Sequence, residues 1–403
     1  MTAPMPRCRL CRADALTEWI DFGRQPICNR YLADPAEAEA SFALVLSQCE
    51  HCGLVQLAQS PPATELTPRH SWIAYREPES HLDALAHVIA GLPGLDRDAP
   101  VWGVSPKDDT LLERISRLGF RSVYRLDLAR DLEICVPHAG VETIQDRLTP
   151  ARAVALTASR SRPQVLVARH VVEHAHDMQT FLKGLASLLS PGGYLVLEAP
   201  DCQKGFETLD ATTVWEEHVA YFTPATFPLV FEHIGQTIVH RQSFPDGLED
   251  VLTGIGRAPA ATEPGAPRLE KPEADAQVQM FSRGWDSYRR RIAGLLADRR
   301  RRGEVIAVYG AGHRACAFVN LLGLGEHISW VVDDDPHKQG LWMPGSRLPI
   351  RGPQALLARR VDLCLMSVGP EAEASVIGRS AALVERGVQF ASIYPASRRA
   401  AIA

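Results

Sequence analysis

Two segments of the chain concentrate imidazole and carboxylate side chains. The first is Ala168-Arg-His-Val-Val-Glu-His-Ala-His-Asp, and the second is Trp215-Glu-Glu-His-Val-Ala-Tyr-Phe-Thr. Histidine exchanges a proton near neutral pH, and a neighbouring carboxylate can orient the ring and stabilise its charged form. Each segment follows a predicted strand, so both can face one cleft. The pattern indicates acid–base catalysis, with helix caps and solvated charges as the alternative.

Four of the nine cysteines form two Cys-x-x-Cys pairs, Cys8 with Cys11 and Cys49 with Cys52. A tight turn of this kind brings two sulfurs to one ion, so two turns supply the four thiolates of a closed tetrahedral zinc site. Closed sites of this type are structural. Unpaired buried thiols are the alternative interpretation.

Two strand-to-helix turns have the form of nucleotide-binding loops. Val101-Trp-Gly-Val-Ser-Pro-Lys-Asp-Asp is followed by Asp127 at the end of the next strand, where a carboxylate can bind ribose hydroxyls. An ordinary surface aspartate is an equal alternative. Val308-Tyr-Gly-Ala-Gly-His-Arg-Ala has the Gly-x-Gly-x-x-Ala form, in which glycines let the backbone approach a phosphate at a helix N-terminus. A glycine turn needed only for packing explains the second loop equally well.

The elements that must position these residues alternate between strand and helix. Apolar strand candidates begin near residues 100, 122, 164 and 193, and again near 304, 328, 361 and 389. This alternation predicts two doubly wound α/β domains. We predict a zinc-binding module over 1–75, a first α/β domain over 76–256, a linker and helix over 257–302, and a second α/β domain over 303–403. The four arginines 299–302 complement the negative end of that helix.

The composition sets limits on function. The chain has 403 residues, 46% of them hydrophobic, and a net charge of −5. These values fit a soluble globular enzyme of several domains and provide no general attraction for nucleic acid or an anionic membrane. No run is long and apolar enough for a membrane span, and the N-terminus lacks a signal-peptide pattern. We therefore expect a cytoplasmic protein with a small-molecule partner, and the sequence predicts no particular oligomeric state.

At these residues the chain resembles the deoxysugar C-methyltransferases, S-adenosylmethionine-dependent enzymes with an N-terminal zinc-binding module. Arg169-His-Val-Val-Glu-His is similar to the family's Arg-His-Val-Leu-Glu-His, and Glu217-His-Val-Ala-Tyr-Phe-Thr to its Glu-His-x-x-Tyr-Phe-Ser. The two cysteine pairs and Phe22-Gly-Arg-Gln-Pro also match. The run from Asp333 to Ile350 resembles the family's Asp-x-x-Pro-x-Lys-Gly-x-x-x-Pro-Gly-x-x-Ile-Pro-Ile pattern.

The resemblance implies a class I methyltransferase-like doubly wound sheet between the zinc-binding module and a C-terminal Rossmann-like domain. It implies methyl transfer from S-adenosylmethionine to a carbon of a nucleotide-linked keto-deoxysugar. His218 would be the base, Glu217 would orient it, and His174 and Tyr221 would polarise the keto group or position the sugar. The implied cofactor residues are Ser105, Asp108, Asp127, Arg169 and His170. The implied substrate residues are Tyr309, Gly310, Arg314 and Lys338, and the implied zinc ligands are Cys8, Cys11, Cys49 and Cys52.

The chain departs from the family pattern at the first cofactor loop. The family's Glu-Ile-Gly-Ser-Asn-Asp-Gly is Gly103-Val-Ser-Pro-Lys-Asp-Asp here, and its Tyr-His-Glu-His is Trp215-Glu-Glu-His. These changes favour one alternative, a binding protein that keeps the methyltransferase scaffold without the cofactor. The glycine turn at Gly310 motivates another, an NAD(P)-dependent enzyme that uses the last domain.

Overall fold

The N-terminal module is a small antiparallel sheet. A computed structural model describes residues 7–73, 77–136, 138–260 and 276–401 of the chain. The elements of the module are β1 (Leu16–Pro26), β2 (Ser41–Cys49), β3 (Val55–Gln59) and α1 (Ala63–Leu66). Strand β2 lies antiparallel between β1 and β3. One cysteine pair precedes β1. Of the other pair, Cys49 ends β2 and Cys52 lies on the turn to β3, so the fold brings the two pairs together.

The central domain alternates strands and helices as the sequence predicts. Its elements, in chain order, are α2 (Leu82–Ala90), β4 (Val101–Gly103), α3 (Asp109–Arg117), β5 (Val123–Arg125), α4 (Val141–Arg147), α5 (Pro150–Ala158), β6 (Val165–Arg169), α6 (Met178–Leu188), β7 (Tyr194–Asp201), α7 (Gln203–Thr208), β8 (Ala220–Tyr221), α8 (Leu229–His233), β9 (Thr237–Phe244) and β10 (Asp250–Arg257).

Six of these strands form one sheet in the order β5-β4-β6-β7-β10-β9. Strands β5, β4, β6 and β7 are parallel, and β10 adds antiparallel to β7. Every residue of β6 and β7 is buried, as expected of parallel strands covered by helices on both faces. The antiparallel β9–β10 hairpin was not predicted from the sequence, which indicated only continued alternation.

Strand β8 belongs to a different sheet. It pairs antiparallel with β3, with Val55 opposite Tyr221 and Gln56 opposite Ala220. The first sheet therefore has the order β1-β2-β3-β8. This pairing attaches the cysteine-bearing module directly to the chain segment that follows His218.

The last domain follows a long helix. The elements are α9 (Ala276–Arg301), β11 (Ile306–Tyr309), α10 (His313–Leu321), β12 (Trp330–Val332), β13 (Ile350–Arg351), α11 (Gln354–Ala358), β14 (Leu363–Met366), α12 (Pro370–Arg379), α13 (Ala381–Glu385) and β15 (Gln389–Ser392). The five strands are parallel in the order β13-β12-β11-β14-β15. Counted from β11, this is 3-2-1-4-5, the order of a doubly wound sheet.

The predicted linker and helix over 257–302 lie partly outside the described residues, which resume at Ala276. Within α9, the arginine run at 299–302 is engaged locally. Arg299 and Arg302 pair with Glu304, and Arg301 pairs with Asp298. These contacts agree with the interpretation of the run as a solvated helix end. Among the described residues, no helix has both the length and the apolar character needed to cross a membrane.

Candidate active site

The order of the central sheet reverses between β4 and β6. The chain leaves β4 toward β5 on one side and leaves β6 toward β7 on the other. Ligands of open α/β sheets bind in the crevice at such a point, outside the carboxyl ends of the strands. The loops that follow β4 and β6 carry Lys107, His170 and His174, and all three line a cavity of about 560 Å³.

This cavity lies between the central and last domains. Its volume falls within the range of about 300–1,000 Å³ that is usual for small-molecule sites. The central domain contributes the loops after β4, β6 and β7 and the segment that precedes β8. The last domain contributes His313 and Arg314 from the start of α10 and Glu371 from the start of α12. The two acid–base segments singled out in the sequence therefore meet at one cavity.

His174 and His218 are adjacent in the cavity wall. His174 ends a short 3-10 turn, Val172–His174, directly after β6. The backbone N–H of Val219 donates to the carbonyl of Glu173 at 2.8 Å, which holds the two segments together. The ring centroids lie 4.7 Å apart and the rings are nearly perpendicular. Burial lowers the pKa of His218 to about 3 and that of His174 well below its ordinary value, so both rings are neutral near pH 7.

Glu217 and Tyr221 take different places. Glu217 lines the cavity, but its Oε1 accepts a 2.7 Å hydrogen bond from Asn29 of the N-terminal module and makes no bond to His218. Burial raises the pKa of Glu217 well above its ordinary value. Tyr221 is fully buried behind the cavity wall, where its hydroxyl donates to the carbonyl of Trp215 at 3.0 Å. The predicted roles of both residues stay predictions.

The departure at Trp215-Glu216 has a structural explanation. Glu216 points away from the cavity into the N-terminal module, where its carboxylate accepts bonds from the backbone N–H and the Sγ of Cys28 at 2.5 and 3.2 Å. Trp215 lines the cavity and stacks on His313 of the last domain, with ring centroids 4.2 Å apart. Glu216 thus links the central domain to the N-terminal module, and Trp215 supplies a flat apolar wall of the cavity.

A row of charged groups lines the part of the cavity beside the β4 and β6 loops. Lys107 is bonded to Glu77. The His170 Nδ1 lies 3.5 Å from a carboxylate oxygen of Glu77 and 3.5 Å from one of Glu173. Burial opposes the charged form of His170, but the two carboxylates outweigh it and raise its pKa. The sequence did not single out Glu77, which precedes α2, or Lys107; the acid–base spacing of 168–177 did include Glu173.

Ser105 and Asp108 are turned inward, away from the cavity. The Asp108 carboxylate accepts from the backbone N–H groups of Val104, Ser105 and Arg169 at 2.8, 2.8 and 2.9 Å. Burial raises the pKa of Asp108 to about 7, although these hydrogen bonds act to lower it. The Ser105 hydroxyl accepts from the backbone N–H of Lys107 at 3.2 Å. The altered loop therefore satisfies its own amides, and its Lys107 side chain alone reaches the cavity.

Asp127 and Arg169 also lie outside the cavity lining. Asp127 accepts a 2.7 Å bond from the backbone N–H of Arg130. The Arg169 guanidinium is buried in an ion pair with Glu198 and bonds to the carbonyl of Lys107. Of the five predicted cofactor residues, His170 therefore lines the cavity. All five assignments remain predictions.

The glycine turn of the last domain is engaged by its own strand ends. Gly310 has φ of +100°, and a Cβ there would lie 3.0 Å from the carbonyl oxygen of Ser367, so both conformation and space require glycine. The N–H of Ala311 donates to Asp333 at 2.6 Å, and Tyr31 of the N-terminal module donates to the carbonyl of Ala311 at 2.5 Å. These contacts agree with the packing alternative, and the predicted substrate role of Gly310 stays a prediction.

The other predicted substrate residues separate into two groups. Tyr309 donates to Asp334 at 2.8 Å and Lys338 donates to Asp333 at 3.3 Å, both outside the cavity lining. Arg314 lines the cavity and pairs with Glu249 at 3.0 Å. The last domain thus reaches the cavity through the start of α10.

The two cysteine pairs form one cluster. Cys8 and Cys52 have sulfurs 3.6 Å apart, as do Cys11 and Cys49, and the four sulfurs lie within 4.8 Å of one another. Zinc–sulfur bonds of about 2.3 Å in a tetrahedron place sulfurs about 3.8 Å apart. The cluster therefore has the donor set and the size of a structural zinc site.

Family models match three successive parts of the chain. Residues 8–66 match a "Putative zinc binding domain", residues 84–241 a "Methyltransferase domain", and residues 269–395 a "C-methyltransferase C-terminal domain". Together with the strand order of the central sheet, these matches establish a class I methyltransferase. The predicted fold class is confirmed.

Similarity over the whole length identifies the family more closely. The chain is 25% identical to the C-methyltransferase NovU of Streptomyces niveus over 98% of this chain and 97% of that protein. It is 29% identical to a ubiquinone biosynthesis O-methyltransferase of a Caulobacter species over 28% of this chain and 45% of that one. The resemblance to C-methyltransferases that carry a zinc-binding domain, which the motifs predict, is confirmed. The similarities favour neither alternative function.

Solved structures add only distant likenesses. The N-methyltransferase NodS of Bradyrhizobium japonicum is 18% identical, over 49% of this chain and 95% of that one, with a TM-score of 0.30. A didemethyltoxoflavin N1-methyltransferase of Burkholderia thailandensis is 16% identical, over 45% and 77%, with a TM-score of 0.29. TM-scores of this size carry no argument about fold or function.

Proposed function

We propose that this C-methyltransferase moves a methyl group from S-adenosylmethionine to a carbon next to the ketone of a nucleotide-linked keto-deoxysugar. The observation that carries the proposal is the meeting of His174 and His218 in one cavity at the point where the central sheet reverses. The resemblance of both histidine segments to the deoxysugar enzymes supports the class of substrate. So does the similarity over 98% of the chain to a C-methyltransferase.

His218 is the proposed proton acceptor. A carbon next to a ketone loses its proton when a base takes it and the developing enolate oxygen is stabilised. In the proposal, the proton moves from that carbon to a ring nitrogen of His218. We propose that His174, whose ring lies against that of His218, meets the enolate oxygen. When bound, S-adenosylmethionine supplies an electrophilic methyl group to the resulting carbon nucleophile.

We propose that the cofactor binds at the end of the cavity beside the β4 and β6 loops. This end lies at the switch point of the sheet, where nucleotide cofactors bind in doubly wound folds. Ser105 and Asp108 turn inward and leave this end open, so the altered loop does not fill it. Lys107, Glu77 and His170 line it and are the groups we propose to hold the cofactor.

The last domain supplies the proposed site for the rest of the acceptor. Arg314 presents a partly buried guanidinium to the cavity, and guanidinium groups are well suited to phosphate. His313 stacks with Trp215, which provides a flat apolar surface beside it. Tyr309, Gly310 and Lys338 would support this end of the site through the turn that precedes α10.

We further propose that Cys8, Cys11, Cys49 and Cys52 hold one Zn²⁺ with a structural role. The sulfur separations of 3.6 Å support this assignment. All four positions of the tetrahedron are filled by protein, so no position remains for substrate.

The test is methyl transfer from deuterium-labelled S-adenosylmethionine to a panel of keto-sugar nucleotides, followed by product mass spectrometry. The matched control is the same panel after reduction of the ketone to an alcohol, which removes the acidic C–H. We expect labelled product with a keto-sugar and none with its reduced form. Transfer to the reduced sugars at equal rates would contradict carbon methylation.

The residue test is His218→Ala. Loss of the base should lower turnover by about 10²–10⁴-fold, with the dissociation constant for S-adenosylmethionine changed less than about twofold. Titration calorimetry measures the latter. Undiminished turnover would remove His218 from the mechanism, and absence of binding by the folded wild-type protein at millimolar cofactor would contradict the proposed cofactor.

A further inference from the structure

Glu173, His174 and His218 bring one carboxylate and two imidazoles together; the two histidines line the cavity and Glu173 is buried next to them. Their donor atoms all lie within 4.8 Å of one another. Glu173 and His174 are on the 3-10 turn after β6, and His218 is held against that turn by the bond from Val219 to the Glu173 carbonyl. The three residues come from two segments that are far apart in the sequence.

Donor atoms of Glu173 and His174 lack hydrogen-bond partners. Both carboxylate oxygens of Glu173 and the Nδ1 of His174 are buried without one. The His170 ring is 3.5 Å from Glu173, which is an electrostatic contact and not a hydrogen bond.

We propose that Glu173, His174 and His218 bind one divalent transition-metal ion such as Zn²⁺, separate from the ion held by the four cysteines. Two imidazoles and one carboxylate suit zinc, cobalt or iron(II), whereas magnesium and calcium prefer oxygen ligands. Bonds of about 2.0–2.1 Å require donors about 3.3–3.5 Å apart in a tetrahedron. Side-chain rotations that move the donor atoms by about an ångström achieve this spacing. Because His174 and His218 line the cavity, a fourth ligand would reach the ion from there.

The consequence for activity rests on the proposed function. The ion takes the His218 lone pair that proton removal requires, so ion binding and base catalysis by His218 exclude one another. Zinc at this site therefore inhibits methyl transfer. The ion binding itself does not depend on which reaction the enzyme catalyses.

The binding test counts cobalt in untagged, full-length protein reconstituted without oxygen and dialysed against a few equivalents of Co²⁺. We expect two ions per chain by elemental analysis. Glu173→Gln and His174→Ala should each hold one. Loss of a ligand should weaken the site by more than the roughly 10–100-fold that loss of an outer partner costs. His313→Ala, which alters a cavity histidine outside the cluster, is the matched control and should hold two.

The absorption spectrum of the cobalt-loaded protein shows whether the four-cysteine site of each variant is intact. The thiolate-to-cobalt charge-transfer band reports the four-cysteine site and should be equal in all variants, because a nitrogen and oxygen site lacks it. One ion per wild-type chain, or two ions in both cluster variants, would overturn the proposal.

The inhibition test compares turnover with and without added Zn²⁺. This ratio should fall in the wild type and stay near one in Glu173→Gln. A ratio that falls equally in both would overturn the inhibitory role. Failure of the proposed function has a different signature: no methylated product at any zinc concentration, with the two cobalt ions still bound.

Discussion

Replacement of Glu198 by glutamine tests the buried charge network behind the cavity. Glu198 is fully buried within β7, where it pairs with Arg169, bonds to His81 at 2.6 Å and accepts from Thr253 at 3.2 Å. Burial alone would raise its pKa, but the His81 bond and the Arg169 charge lower it from 4.5 to about 2. That difference corresponds to about 3 kcal/mol at neutral pH. Breaking a buried ion pair from one side typically costs about 3–5 kcal/mol.

Glu198→Gln should therefore lower the opening free energy of the β6 and β7 amides by about 3–5 kcal/mol. Hydrogen exchange followed by mass spectrometry measures this locally, which suits a chain of several domains. Because the pKa is lowered in the folded state, the contribution is complete above about pH 4.5 and is lost as the pH falls toward 2. The difference between wild type and variant should therefore shrink between about pH 5 and 3.

Thr253→Val is the matched control, because it removes one hydrogen bond to the same carboxylate and leaves the ion pair with Arg169 in place. It should cost about 1.5–3 kcal/mol, the usual net value of a hydrogen bond to a charged group. An effect of Glu198→Gln within about 0.5 kcal/mol of the wild type at neutral pH would refute the reasoning. So would a difference that stays constant down to pH 3.

Two further predictions concern the outer domains. Cys49→Ser should remove one metal equivalent and make the N-terminal module sensitive to limited proteolysis, because structural zinc contributes about 10–16 kcal/mol to the folding of small domains; a protease-resistant module would argue against this. Gly310→Ala should destabilise the β11 amides in hydrogen exchange by at least about 1–2 kcal/mol, since φ is +100° and the Cβ would meet the Ser367 carbonyl. Gly312→Ala is its control, with φ of −87° and open space around it, and equal effects at both positions would contradict the argument.

The strand pattern of the two α/β domains could be predicted from the sequence because it depends on local apolar runs. Strands were expected near residues 100, 122, 164 and 193, and β4, β5, β6 and β7 lie there. Strands that end at one edge bring their following residues together, so the shared cavity of His174 and His218 was also predictable. The pairing of β8 with β3 was not, because a two-residue strand has no pattern of its own.

Some charged groups of the cavity could not be predicted from the sequence either. The positions of Glu77 and Glu249 in the sequence do not distinguish them from other glutamates. They reach the cavity because residues far away in the sequence pack against the loops that carry them. The altered residues of the cofactor loop were read from family motifs as missing contacts. The structure shows instead that Asp108 turns inward to three backbone amides, an arrangement that depends on Arg169 from another strand.

Because β3 pairs with β8, the four-cysteine site helps to hold the proposed base, His218, in position from a distance. Leu57 donates to the carbonyl of Val219 at 3.0 Å, one residue beyond His218. Chelators or peroxide that attack the cysteines would thus loosen the segment that holds His218 before the larger sheets unfold. A cell short of zinc, or under oxidative stress, would accumulate intact but idle enzyme.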